Sequence, residues 1–227
     1  MMSKRAVVLL SGGLNSFVAA KFVQTVGVEI VEAICFNYGQ EHCDEIDYAA
    51  ELAARLDVPF SSIQASMLWE MTDRLTHEQA AHMTQVGLNN SFWFGRRLAI
   101  HLLGASRAQA LNAGMVVSGS TMARVSDGGA AIDFLQKAID AEHFDVKIEV
   151  PFIGTELGHA FKVAHALDIF DEAVAMTYDC LHGSHDQHDW GRGCGECEGC
   201  LRRAEGHRVI TGHLLESFNA KRAEVPS

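Results

Sequence analysis

Ser11-Gly12-Gly13-Leu14-Asn15-Ser16 joins two hydroxyls, two adjacent glycines and an amide directly after the apolar run Arg5-Ala6-Val7-Val8-Leu9-Leu10. These are the ingredients of an anion cradle. Glycines let the backbone turn with its N–H groups inward, serines add hydroxyl donors, and a following helix directs its positive end at the same point. A phosphate satisfies all of these donors. The plainer alternative is a strand-to-helix turn capped by Asn15 or Ser16. Position argues for the cradle, because open parallel sheets place ligand crevices at the carboxyl ends of their strands.

A second set of residues has the spacing of a metal site. Cys180, Cys194, Cys197 and Cys200 lie in the last quarter of the 227-residue chain, while Cys35 and Cys43 stand apart. In a reducing compartment, a Cys-x2-Cys-x2-Cys run with a fourth thiol upstream fits tetrahedral zinc better than disulfides. His182, His185 and His188 are competing ligands, since zinc also accepts three thiolates with one imidazole. Four thiols nevertheless fill a tetrahedron, and a closed site is structural and not catalytic. Of the outlying pair, Cys35 reads as a small core residue, and Cys43, opening a helix, as a candidate reactive thiol.

Elements that position these groups follow from the periodicity. Apolar strands are expected at 5–10, 29–36, 59–64 and 114–119, with a fifth at 146–150 or 173–177. Amphipathic helices are expected at 16–25, 41–56, 94–112, 129–142, 155–166 and 198–218. Such alternation predicts an α/β fold, a doubly wound, mainly parallel sheet of about five strands covered on both faces. Residues 179–200 turn polar, and a metal clip offsets the entropy of ordering a segment that has little apolar content. The expected division is therefore a main domain at 1–178 and a small zinc-binding lobe with a helix at 179–227, packed on the same domain. Ser118-Gly119 ends the fourth strand, and Ser126-Asp127-Gly128-Gly129 follows. Each either lines the crevice or serves as an ordinary loop with Asp127 as a helix cap.

Composition removes several alternatives. A formal charge of −11 leaves no basic surplus for displacing counterions from a nucleic-acid backbone, so direct nucleic-acid binding is not expected. No run approaches the ~20 apolar residues of a membrane span. Met1-Met2-Ser3-Lys4-Arg5 leads into a strand instead of a signal-peptide core, which predicts a cytoplasmic protein. A hydrophobic content of 48% is enough for one large α/β core.

Taken in order, the segments resemble the QueC family, the 7-cyano-7-deazaguanine synthases of the N-type ATP pyrophosphatase (PP-loop) superfamily. The resemblance rests on Ser11-Gly12-Gly13-Leu14-Asn15-Ser16, on Phe36-Asn37-Tyr38-Gly39-Gln40-Glu41-His42 with Glu45-Ile46, and on Asn90-Ser91-Phe92 with Gly95-Arg96. Ser118-Gly119, Pro151 and the tail Gly193-Cys194-Gly195-Glu196-Cys197-Glu198-Gly199-Cys200 with upstream Cys180 complete it. It implies an adenine nucleotide alpha hydrolase-like, Rossmann-like fold that uses ATP with Mg2+ and carries structural Zn2+ on Cys180, Cys194, Cys197 and Cys200. It further implies that the carboxylate of 7-carboxy-7-deazaguanine is adenylated and passed to nitrogen, giving an amide and then a nitrile. On this resemblance Ser11, Gly12, Gly13, Leu14, Ser16, Gly39, Gln40, Ser118 and Gly119 contact the nucleotide. Asn15 and Arg96 occupy the catalytic positions. A homodimer is expected from the family and from the apolar content.

Four departures limit the carry-over. Asn15 stands where the PP-loop has aspartate, so a carboxylate that helps hold magnesium is replaced by an amide, through inactivating substitution or natural variation. Trp93-Phe94-Gly95-Arg96-Arg97 replaces Val-Pro-Gly-Arg-Asn, and residues 120–132 lack the aspartate, aromatic and cysteine pattern of the synthases. Leu157 takes the place of a lysine, and Lys162 is more than a helical turn away. These changes point to a relative with an altered substrate or acceptor, ammonia or a protein amine, as in QueC-like proteins of anti-phage gene clusters. The alternative is a nucleotide- or deazaguanine-binding protein without adenylation.

Overall fold

A computed structural model describes residues 4–37, 44–66, 96–121 and 128–223. Five strands, β1 (Arg5–Leu9), β2 (Glu29–Asn37), β3 (Phe60–Gln64), β4 (Met115–Ser118) and β5 (Lys147–Glu149), form one parallel sheet in the order β3-β2-β1-β4-β5. The order reverses at β1, which opens a crevice at the carboxyl ends of β1 and β4. Seven helices accompany the sheet among the described residues: α1 (Leu14–Thr25), α2 (Asp44–Leu56), α3 (Arg96–Ala110), α4 (Gly128–Ala141), α5 (His159–Ala166), α6 (Phe170–Met176) and α7 (Glu198–Ala223). A short antiparallel pair, β6 (Gln187–His188) and β7 (Gly191–Arg192), lies in the cysteine-bearing segment.

Side-chain alternation along β1 explains why both faces are covered. Ala6, Val8 and Leu10 enter one core layer with Phe17 of α1, Leu52 of α2 and Phe161 of α5. Val7 and Leu9 enter the other with Ala105 of α3 and Ile139 of α4. A central parallel strand buried on both sides therefore reads as a continuous apolar run. Gly104 lets α3 lie close to the sheet, since a Cβ there would sit 2.8 Å from Leu9 Cδ2 and 2.9 Å from Val116 Cγ2.

The register between β1 and β2 slips once. Ala6 pairs with Ile30 but Val7 pairs with Glu32, so Val31 is unopposed and Glu32 turns to the Val7 face. There Arg107 of α3 donates to it from Nε at 2.6 Å and Nη2 at 2.8 Å, and Ser61 Oγ donates at 2.6 Å. These donors, Arg107 foremost, hold the Glu32 carboxyl below its ordinary value of 4.5 against the opposing effect of burial. Glu32→Gln is expected to cost about 2 kcal/mol at neutral pH. A carboxyl whose folded pKa is lowered stabilises the fold above its unfolded value and loses that effect as pH falls through the folded one. Urea unfolding of parent and variant should thus differ at neutral pH and converge in acid.

One alternative is decided, in favour of a fifth strand within 146–150, and two helix boundaries are corrected. Residues 173–177 are not a strand: all but the last belong to α6, whose first turn carries Asp171 and Glu172 and whose Ala173 is buried in the α1 layer. The edge strand is β5. The helix expected from residue 155 starts at His159, because Thr155 Oγ1 donates back to Phe152 O at 2.8 Å and Gly158 is left-handed, with φ of 84°. The C-terminal helix runs on to Ala223. Among the described residues no helix is long and apolar enough to cross a membrane.

Candidate functional site

The glycine loop between β1 and α1 is shaped by close approaches from three directions. Gly12 has φ of 80°, and a Cβ there would come 2.5 Å from the Glu45 carbonyl of α2. A Cβ on Gly13 would come 2.3 Å from Asp179 Oδ1, and one on Gly119 would come 2.4 Å from the Asn15 carbonyl and the Ser16 nitrogen. Only glycine fits these positions as built. Gly119→Ala is expected to push the end of β4 off the loop, because the atoms it meets are backbone, at a cost of about 1–3 kcal/mol in urea unfolding.

Ser16 pins the loop from within. Its buried Oγ accepts from the Ser11 N–H and the Ser11 hydroxyl, both at 3.2 Å, and donates to the Gly13 carbonyl at 2.9 Å. One hydroxyl proton and two lone pairs are thereby used. Gly13 is the N-cap of α1 and has no side chain to cap it. That role falls to Asp179, whose Oδ2 accepts from the Leu14 N–H at 3.4 Å, placing a carboxylate at the helix's positive end.

Arg203 of α7 holds Asp179 there. Its Nη1 donates to Asp179 Oδ2 at 2.6 Å and to Thr177 Oγ1 at 2.8 Å, its Nε to the Trp190 carbonyl at 2.8 Å, and its Nη2 to the Val174 carbonyl at 2.9 Å. The Tyr178 N–H donates to the Gly12 carbonyl at 2.9 Å. The cysteine-bearing segment is thus stitched directly onto the glycine loop.

Cys180, Cys194, Cys197 and Cys200 converge, with ligand atoms within 4.8 Å of one another and the sulfurs of Cys194 and Cys200 3.9 Å apart. Zinc–thiolate bonds of about 2.3 Å in a tetrahedron require sulfurs about 3.8 Å apart, so the donor set fits zinc. Backbone N–H groups support the sulfurs: Leu181 donates to Cys197 at 3.2 Å, Cys197 to Cys194 at 3.3 Å, and Cys194 to Cys180 at 3.4 Å. Burial raises the Cys180 thiol, but the N–H groups of Cys194, His182 and Ser184 and the Tyr178 hydroxyl outweigh it and bring it down to about 6. Burial and the neighbouring sulfurs of Cys197 and Cys180 push the Cys200 thiol up, so four thiolates at this spacing call for a cation. Two of the three histidines are engaged away from the sulfurs. His188 Nε2 lies 2.9 Å from the Gly193 carbonyl, His185 Nε2 lies 3.2 Å from Asp44 Oδ2, and His182 Nδ1 lies 3.6 Å from Cys194 Sγ at the edge of the cluster.

A cavity of about 550 Å³ opens beside the loop, lined among others by Leu14, Asn15, Leu157, Asp179, Arg202 and Arg203. Ser11, Gly12, Gly13, Leu14, Asn15, Ser16, Ser118 and Gly119 all gather at the carboxyl ends of β1 and β4. Arg96 is the first residue of α3, its side chain outside the described residues, and Gly39, Gln40 and Cys43 also lie outside them. Cys35 is buried in the core, where burial, with the Glu45 carboxylate adding, raises its thiol to about 12. Asp179, Arg202 and Arg203 were not legible as site residues. Adjacency to Cys180 and Cys200 was their only signal.

The fold and site define a doubly wound α/β protein with a glycine loop after its first strand and a cluster of four cysteines, positioned to bind a metal ion, buttressing that loop. The model for "Queuosine biosynthesis protein QueC" matches residues 5–211, and the chain belongs to the QueC family. It is 29% identical over 233 residues to a 7-cyano-7-deazaguanine synthase of Paracidovorax citrulli, covering 93% of this chain and 98% of that one. It is 31% identical over 231 residues to a 7-cyano-7-deazaguanine synthase of Hyphomonas neptunium, covering 88% and 92%. Among solved structures, the NMN synthetase of Francisella tularensis aligns over 76% of this chain and 64% of its own, with 16% identity and a TM-score of 0.47.

Proposed function

We propose that this chain is an ATP-dependent carbon–nitrogen ligase that activates the carboxylate of 7-carboxy-7-deazaguanine. The observation that carries the reading is the glycine loop at the carboxyl end of β1 beside a cavity of about 550 Å³, in a chain of the QueC family. Gly12 and Gly13 would receive the β- and γ-phosphates, with the Ser11 hydroxyl and the Leu14 N–H exchanging their present partners, Ser16 and Asp179, for phosphate oxygens, and Asn15 would face them from the first turn of α1. A carboxylate oxygen attacks the α-phosphorus, pyrophosphate leaves, and an acyl-adenylate forms. A nitrogen nucleophile then attacks the acyl carbon, loses a proton and expels AMP. Preorganised donors act on charge that develops on the leaving oxygens, so the protein contributes positioning and electrostatics.

Magnesium, when bound, neutralises the pyrophosphate charge, and Asn15 would face it with an amide oxygen in place of a carboxylate. The four cysteines would hold zinc in a closed, structural site. The altered residues 93–97 and 120–132 favour a substrate or acceptor that differs from that of the synthases, the acceptor being ammonia or a protein amine, as in QueC-like proteins of anti-phage gene clusters. Asn15 itself favours a second reading, a protein that binds the nucleotide without adenylation.

The test incubates the chain and its Asn15→Asp variant with ATP, 7-carboxy-7-deazaguanine and ammonium, and scores AMP, amide and nitrile by mass spectrometry. Nitrile identifies a synthase. AMP or amide alone identifies a conjugating relative, and no AMP from either protein leaves the binding reading.

A further inference from the structure

We propose that Arg202 is the phosphate-binding cation of the cavity, closing over the β- and γ-phosphates opposite the amino end of α1. The inference rests on the nucleotide reading above. A triphosphate entering this cavity meets backbone donors on the α1 side but also the carboxylates of Asp179, Glu45 and Glu156 on its walls. Its charge requires a cation. Among the described residues, two guanidinium groups line the cavity, those of Arg202 and Arg203.

Arg203 is already committed. Its side chain is 2% exposed and bonded to Asp179, Thr177, Trp190 and Val174. Arg202 is in the opposite condition. Its side chain is 45% exposed and is paired with Glu198 one turn back on α7, at 3.7 Å. An exposed pair of this kind contributes little, so it is readily exchanged for a phosphate. The guanidinium fork matches two phosphate oxygens at once, which an ammonium cannot do.

Packing fixes which wall Arg202 serves. Residues 202 and 206 share a face of α7, and Gly206 is pressed against Gly158, where a Cβ on Gly158 would lie 2.8 Å from the Gly206 carbonyl. Leu157, 44% exposed, directly precedes Gly158 and lines the same cavity as Arg202. A cation at residue 157 would reach into the same space. The two positions form a natural exchange pair.

The experiment measures ATP and inorganic pyrophosphate binding by calorimetry, with Mg2+, for the full chain, for Arg202→Gln, and for Arg202→Gln combined with Leu157→Lys. Urea midpoint and bound zinc are followed in each as a control, since Arg202 is exposed and its loss should leave both unchanged. The expected result is a roughly tenfold weaker affinity for both ligands in Arg202→Gln, with a shallower salt dependence, and recovery of most of it in the double variant. Affinity unchanged in Arg202→Gln, or lost there and not recovered when Leu157→Lys is added, overturns the assignment of Arg202. Failure of the parent chain to bind ATP overturns the nucleotide reading itself, and the two failures are thereby told apart.

Discussion

Arg203→Met is expected to lower the unfolding free energy by about 3 kcal/mol, toward the lower end of what breaking a buried ion pair costs. The lower end applies because Asp179 keeps 29% of its side-chain exposure and water can partly solvate it, whereas Arg203 keeps only 2%. Methionine fills much of the volume but donates nothing, so the carbonyls of Trp190 and Val174 and the Thr177 hydroxyl all lose a donor at once. Arg203→Lys should recover little, since one ammonium cannot reach acceptors spread around a planar fork. Urea unfolding of Arg203→Met, Asp179→Asn and the double variant forms a cycle. Removing both partners should cost less than the sum of the single losses, because neither leaves the other's charge unpaired. Strict additivity would mean that the pair does not act as a unit.

Cys197→Ser, or exhaustive chelation, should have a larger effect. A four-thiolate zinc site contributes on the order of 10 kcal/mol of binding free energy to the fold of the segment that holds it. Here the loss would not stay local. The Tyr178 N–H on Gly12 and the Asp179 carboxylate on Leu14, itself held by the Arg203 guanidinium, reach the glycine loop from residues flanking Cys180 and Cys200. Elemental analysis should find one zinc per chain in the parent and none in the variant, with a large drop in Tm on chelation. Zinc should also be released in acid, as protons displace it from the thiolates. A metal-free chain with unchanged Tm would show that the four sulfurs meet without contributing to the fold.

What could be read from the residues alone is local in sequence. The β1 run is apolar throughout because both faces are covered, and the glycine loop follows it directly, so strand, loop and crevice were visible together. The four cysteines were visible because metal geometry imposes short, regular spacings. Residues 173–177 were ambiguous since a short apolar run has no period of its own, and packing against α1 made most of it a helix.

Tertiary structure alone decided the partners. Glu32 meets Arg107 only because the register slips at Val31 and α3 crosses that face of the sheet. Asp179 caps α1 from 165 residues away, in place of a side chain that Gly13 cannot supply. Arg202 and Leu157 line one cavity although they lie far apart in sequence, on segments that meet where Gly158 packs on Gly206. Local spacing constrains which groups can share a turn or a metal. Long-range pairing depends on where each crossover lays its helix, and that is set by the packing of the whole core.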